Sequence, residues 1–444
     1  MSGWKCIFAA LLMMGLAATA SPASAVPSYS RQTGEPCTSC HVGAYGPQLT
    51  PHGRAFKIGG YSDGKTVVPL SGAAWIAFTH TAKGQTEPAS DHDGRNDNVA
   101  VQEAIAFLAG RIAPRLGTFI GIAYEESERK AMLDHFDVRY VLPVKLGGKD
   151  SLLGFNVNNS PGSQDPFGSL PAISFPHDRP ELVPEQLGST LLRGGLESQV
   201  AGFSTYLWFD DSIYAEVAGY RSMSRGLLDT LGVEDQAGRI SGVAPYVRLA
   251  YQKDWGKQVA SLGLVGMSAK IHPDRRPGPT NDSTDWGLDA TYQYLGNRKN
   301  IITSSVAFFR ERQSRKFDIA EGLTSKRRHT LNSVNANIGW SHLNTYGLTF
   351  GLFSRWGTRD TELYAPEEDG GSRTGKPDTA GYILQADWTP FGKEDSWHAP
   401  FANLKLGIQY TGFTKFNGAS HNYDGFGRKA SDNNSLFGFA AVAF

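Results

Sequence analysis

The sequence predicts an all-β fold: about sixteen antiparallel strands closed into a transmembrane barrel behind a short N-terminal head. Three observations predict it. Apolar and polar residues alternate with period two from about residue 72 to the end, which places one apolar and one wet face on each strand. The connections alternate between brief turns and longer polar loops, the outer-membrane arrangement. No segment after residue 25 carries about 18 or more continuous apolar residues, so no helix is predicted to span a membrane.

The chain divides into three parts. Residues 1–25 read as a secretory signal. Lys5 opens a positive region, "CIFAALLMMGLAATA" is the apolar run, and Ala23-Ser24-Ala25 is the small-residue cleavage site. Cys6 stands at the start of the apolar run and not after it, which argues against a lipoprotein anchor. Residues 26–70 form the head, and residues 71–444 the barrel.

Strands are expected near 72–83, 98–110, 115–126, 132–143, 150–158, 196–209, 211–222, 242–253, 257–270, 284–295, 300–312, 329–341, 345–357, 378–389, 401–413 and 433–444. In "FANLKLGIQYTG" Ala402, Leu404, Leu406, Ile408 and Tyr410 oppose Asn403, Lys405, Gly407, Gln409 and Thr411. In "DWGLDATYQY" Trp286, Leu288, Ala290, Tyr292 and Tyr294 share the apolar face. Such segments exceed the usual 5 or 6 residues of globular strands and match the roughly 9 to 11 that cross an outer membrane with tilt. Trp and Tyr at the ends of apolar faces suit the membrane–water interface. The terminal Phe444 resembles the assembly signal of outer-membrane barrels. A soluble propeller would show a repeat of about 40 to 50 residues, and none is visible. The connection after the third strand is short and that after the fourteenth is long, against the general rule. An even strand count with a periplasmic N-terminus returns the C-terminus to the periplasm.

Charge excludes one class of partner. With 43 basic and 43 acidic residues the chain has no basic excess for nucleic acid. Electron transfer needs only outer-sphere positioning and a tuned potential, so no general base or nucleophile is required, and no such constellation stands out; Fe(II) oxidation is the candidate enzymatic role. Acidic stretches such as "DHDGRNDN" and "APEEDGG" read as solvated loops.

The head carries the chemistry. After the leader, the only cysteines are Cys37 and Cys40, in the spacing C-x-x-C-H with His41. A thioredoxin-like pair would accompany a βαβ pattern. A zinc site would need a second ligand pair, and no further cysteine exists. The motif therefore points to one covalent c-type haem, with thioethers at Cys37 and Cys40 and His41 as proximal ligand. No Met lies between His41 and the barrel, which leaves His52 as the nearest distal candidate and His80 as the next. Arg31, Arg54 and Lys57 are candidate partners for haem propionates, or plain solvated charge. Pro51 and the preceding Gly46-Pro47 mark turns, with one helical turn expected over 54–58.

So short a head cannot bury a haem alone, whereas about sixteen strands enclose a lumen wide enough to hold it. The expectation is a monohaem cytochrome c plug folded into the lumen, touching wet-face residues such as Arg139, Asp289, Gln385 and Lys405.

"SRQTGEPCTSCH" after a signal, "GPQLTPHGRAFKIGGY", and a barrel ending in Phe resemble the fused monohaem cytochrome–porins of the outer membrane, whose best-known members are iron oxidases. The resemblance implies haem c on Cys37, Cys40 and His41. It also implies an electron path from extracellular Fe(II) or another reductant to a periplasmic cytochrome, with outer-membrane lipid around the barrel. The alternative is a haem-bearing porin for solute transport or small-ligand sensing.

Overall fold

The computed structural model describes residues 26–125, 129–168, 180–393, 396 and 403–444. The expected signal at 1–25 lies outside the described residues, as does the start of the last-but-one expected strand.

Sixteen long antiparallel strands close on themselves, all within a few residues of the expected positions: β1 Leu70–Thr81, β2 Asn98–Ala113, β3 Leu116–Glu125, β4 Lys130–Leu146, β5 Lys149–Asn158, β6 Val200–Phe209, β7 Ile213–Ser222, β8 Ala244–Asp254, β9 Gln258–His272, β10 Asn281–Tyr294, β11 Asn300–Arg315, β12 Arg328–His342, β13 Tyr346–Gly357, β14 Thr379–Trp388, β15 Asn403–Lys415 and β16 Ser435–Ala443. Each pairs with its sequence neighbour, and β1 pairs with β16 from Ala73↔Ala443 to Thr81↔Ser435. A two-residue strand, Arg239–Ile240, adds a short pairing at the His272 end of β9 and makes up the seventeen strands of the sheet.

The faces sort as the period-two pattern requires. On β10, Trp286, Leu288, Tyr292 and Tyr294 are exposed, while Asp285, Asp289 and Gln293 are buried. On β8, Val247, Leu249 and Tyr251 are exposed, and Tyr246, Arg248 and Gln252 are buried. A closed barrel with its apolar residues outside and its polar residues inside is built for lipid, because closure leaves no unpaired strand edge in the hydrocarbon. The chain is an outer-membrane β-barrel.

Turn chemistry separates the two rims. Three short turns carry paired positive φ values at Gly147-Gly148, Asp210-Asp211 and Leu343-Asn344, the twist that tight hairpins favour. These turns share one rim with the starts of odd strands. The long connections 82–97, 159–199, 223–243 and 358–378 share the other.

Described parts of the connection after β5, around Asp165 and around Leu191, turn inward rather than staying at their rim. Phe167 packs with Trp208 and Tyr214, Asp165 meets Arg248 at 3.2 Å, and Arg193 stacks on Phe309 at 5.5 Å. The backbone N–H groups of Leu191 and Leu192 donate to Glu311 and Asp285 at 3.0 and 2.9 Å. No strand periodicity marks this loop, so its place inside the barrel is not readable from the sequence pattern.

Candidate haem-attachment site in the head

The head is three short helices joined by turns: α1 Pro27–Thr33, α2 Cys37–Cys40 and α3 Pro51–Ile58. Gly34 ends α1 in the left-handed conformation that favours glycine. Pro51 at the first turn of α3 costs no hydrogen bond, and Thr50 caps it by accepting from Gly53 N–H at 3.2 Å. This cap starts α3 three residues before the single turn expected over 54–58.

Hydrogen bonds tie the head to the inward faces of many strands. Tyr61 Oη donates to Asp137 on β4 at 2.8 Å, and Tyr206 Oη on β6 donates to the Ile58 carbonyl at 2.6 Å. Arg54 Nη1 donates to Gln252 on β8 at 2.8 Å. Gln293 on β10 donates to the Leu49 carbonyl, and Asn403 on β15 to that of Ala44. At the short-turn rim, Arg298 donates to the Thr38 carbonyl at 3.0 Å and Gly43 N–H to Asn344 at 3.3 Å. The cysteine helix α2 therefore lies close to the short turns.

The expected wet-face residues divide by role. The Arg139 guanidinium lies over Tyr61 at 5.6 Å, and Lys405 Nζ and Gln385 border a cleft shared with Tyr45, Pro47 and Gln48. Asp289 instead holds Arg248, whose Nη2 stands 3.1 Å from Oδ1. Close backbone approaches complete the seam. A Cβ on Gly117 of β3 would stand 2.3 Å from the Gly60 carbonyl oxygen, so only glycine lets the head pack there.

Within the site, His41 N–H donates to the Cys37 carbonyl at 2.8 Å, which closes the helical turn between the cysteines. Residues three apart on one turn share a face, as two thioethers to a single macrocycle require. The Cys37 Sγ lies 3.9 Å from Ser30 Oγ. Burial, then the neighbouring Glu35 carboxylate and Cys37, push the Cys40 thiol up to about 12. His41 leaves the helix in extended conformation and pairs with Leu49. Burial lowers its pKa below the usual imidazole range, against an opposing hydrogen bond with the Gly46 backbone. The side chain is thus the neutral base that a metal ligand must be. Its Nδ1 is buried without a hydrogen-bond partner. Two thiols on one turn followed at once by a neutral imidazole with an orphaned nitrogen fit a c-type haem.

His52 stands elsewhere than a simple distal position suggests. It is half-exposed at the start of α3, and its Nε2 lies 2.7 Å from Glu35 Oε2. Glu35, Cys40 and His52 bring one ligand atom each within 4.8 Å of one another; His41 is not part of this group. Sequence reasoning missed Glu35, although it lies two residues before Cys37. His80, the further candidate, pairs with Asp97 at 2.7 Å at the long-loop end of β1. The three cations considered for propionates have other partners: Arg31 donates to the Leu70 carbonyl, Arg54 to Gln252, and Lys57 to the Ser163 carbonyl at 2.7 Å. They fasten the head to the wall and to the inserted loop.

Neither a protein-family model nor a curated protein matches the sequence. Among solved structures the chain is similar to outer-membrane channels at low identity. The channel DcaP of Acinetobacter baumannii is 12% identical, over 84% of this chain and 96% of that one, with a TM-score of 0.45. Salmonella typhi OmpF is 11% identical, over 84% and 97%, with a TM-score of 0.45. A loop-deleted OmpT of Vibrio cholerae is 10% identical, over 84% and 98%, with a TM-score of 0.43.

Proposed function

We propose that this chain is an outer-membrane electron conduit with one c-type haem attached at Cys37 and Cys40 and ligated by His41. In this reading it passes electrons from an extracellular donor, Fe(II) in the first instance, to a periplasmic cytochrome. The observation that carries the reading is the C-x-x-C-H turn of α2, with both cysteines on one face of a single turn and His41 directly after them. A haem bound there would supply a one-electron couple.

The chain's own residues do the rest. His41 offers a neutral nitrogen to the iron. Tyr61, Gln252, Gln293 and Asn403 hold the head at fixed depth, so the cofactor keeps one orientation relative to the short-turn rim. With the N-terminus periplasmic, that rim is where a soluble acceptor docks. The head and the inward-turned residues around Asp165 and Leu191 would together shield the haem from bulk water, and a buried redox centre needs such a low-dielectric wall to hold its potential.

The test is spectroscopic. The expected result is one covalent haem per chain, lost in Cys37→Ser/Cys40→Ser, and reduction of the ferric protein by Fe(II) in stopped flow. A chain exported and folded without covalent haem overturns the conduit. Failure of Fe(II) to reduce the haem at any accessible pH removes iron as donor. Ready CO binding together with solute leakage through liposomes favours the porin alternative. A six-coordinate ferric spectrum that loses its ligand in His52→Ala assigns His52 to the distal position.

A further inference from the structure

We infer that Glu35, Cys40 and His52 form a second site, sharing Cys40 with the haem-attachment turn, for a borderline-soft divalent metal ion of the zinc class in the chain before any haem is attached. The inference does not rest on the haem reading; it needs only the free Cys40 thiol.

Three observations converge. The candidate ligand atoms Glu35 Oε2, Cys40 Sγ and His52 Nε2 lie within 4.8 Å of one another. Tetrahedral zinc bonds of about 2.0 to 2.3 Å place their ligands about 3.3 to 3.6 Å apart, so modest side-chain movement that opens the 2.7 Å Glu35–His52 edge and adjusts Cys40 fits the three atoms to one ion. Second, Glu35 Oε2 and His52 Nε2 approach to 2.7 Å, yet Glu35 Oε2 is a buried oxygen with no hydrogen bond.

Third, the backbone builds this meeting. Thr50 N–H donates to the Cys40 carbonyl at 2.9 Å, and Thr50 Oγ1 donates to the Ser39 carbonyl at 2.5 Å. A Cβ on Gly53 would fall 2.3 Å from the Cys40 carbonyl oxygen. Only glycine at that position lets the first turn of α3 lie on the cysteine turn and set His52 beside Cys40. The Glu35 backbone is positioned in turn by its N–H bond to Thr33 Oγ1 at 3.2 Å.

The chemistry balances simply. The ion displaces the Cys40 proton to solvent and binds the thiolate, a coordinating thiol being deprotonated outright by a dication. The carboxylate and the neutral imidazole bind without further proton release. Three protein ligands leave the fourth position to water, and the half-exposed Glu35 and His52 give the ion a way in. Cys37 is directed at Ser30 and takes no part. The metal and the haem therefore compete for one sulfur, and the occupied site would hold Cys40 back from an oxidative bond to Cys37.

The probe is Co(II), titrated into the full chain refolded without haem under reducing conditions. The expected result is one Co(II) per chain with a thiolate-to-metal charge-transfer band. Cys40→Ser should abolish the band. His52→Ala and Glu35→Gln should each weaken binding by at least about tenfold, the loss common even for outer-shell partners. Cys37→Ser should keep the band. Barrel heat-modifiability on a gel confirms that each variant folds. A band that survives Cys40→Ser, a band that vanishes in Cys37→Ser, or no band in the folded wild-type chain would each overturn the site.

Discussion

Replacing Arg139 with Met should release the head and the inserted loop together. Arg139 is fully buried and joins three parts of the molecule. Its Nε and Nη2 reach Asp137 on the same strand at 2.9 and 2.8 Å. Its Nη2 also donates to the Gln164 carbonyl of the inserted loop at 2.6 Å, and its guanidinium covers Tyr61 of the head and Tyr206 of β6, each at 5.6 Å. Removing one partner of a buried ion pair costs about 3 to 5 kcal/mol, because the other charge is stranded. Asp137 keeps the hydroxyl of Tyr61, the amide of Asn156 and the more distant charge of Lys57. At about 1.4 kcal/mol per tenfold, local opening should become about a hundred- to a few-thousand-fold more populated. The barrel itself should persist, since its ladder bonds are untouched. Hydrogen exchange read by mass spectrometry should show faster exchange in both 56–61 and 160–167, and planar bilayers should show new conductance. Arg139→Met with Asp137→Asn removes both charges and should recover most of the loss, as neutral replacement of a buried pair does. The reasoning fails if the single variant exchanges and conducts like the parent. It also fails if the double variant is as loose as the single one.

Other perturbations probe the head and the long-loop rim. Gly53→Ala should push α3 off the cysteine turn at a cost of about 1 to 3 kcal/mol, the usual range for overpacking, seen as faster exchange over 50–58 with the barrel's heat-modifiability unchanged. Gly117→Ala, whose added carbon meets the Gly60 carbonyl at 2.3 Å, should loosen the 60–64 segment in the same assay and leave α2 alone. At the long-loop rim, burial would raise the Asp360 pKa, but hydrogen bonds from Thr324 Oγ1 and from the backbone of Leu363, Ser325 and Glu362 outweigh it and hold the carboxylate well below its ordinary value. A depressed folded pKa gives stability that is present above the unfolded value, about 3.9, and is lost as pH falls through the folded one. Exchange at Ser325 and Lys326 should therefore be flat from pH 7 to about 4, after correction for intrinsic rate, and should accelerate only in stronger acid. Asp360→Asn should remove that dependence.

The wall was legible because a strand's two faces meet different solvents. Lipid outside and a polar interior inside impose strict alternation, and a slip of one residue would put Asp285 or Arg248 into hydrocarbon. Every one of the sixteen strands carries enough of that pattern to be placed within a few residues. The cysteine turn stands out for another reason: the proposed thioether attachment would fix its spacing, so Cys37, Cys40 and His41 can be proposed without any fold. The two features that escaped have no period to read. Segment 159–199 is a polar loop by composition, and what draws it inward is pairing with side chains far along the chain, Asp165 with Arg248 and the Leu191 and Leu192 amides with Glu311 and Asp285.

Glu35 escaped in the same way, and it bears on how the head works. A search for a metal site looks first for cysteines and histidines at fixed spacing, and Glu35 and His52 are separated by a cysteine turn, an extended bridge at His41 and Leu49, and a capped helix. Only the fold of the head brings them to Cys40. Under the two proposals the same short segment would present its cysteine turn in two ways: toward a planar cofactor through both sulfurs and His41, and toward a compact ion through Cys40, Glu35 and His52. Gly53 and Thr50 fix α3 against the carbonyl of Cys40, so both readings start from the same backbone. They differ in what takes the Cys40 sulfur.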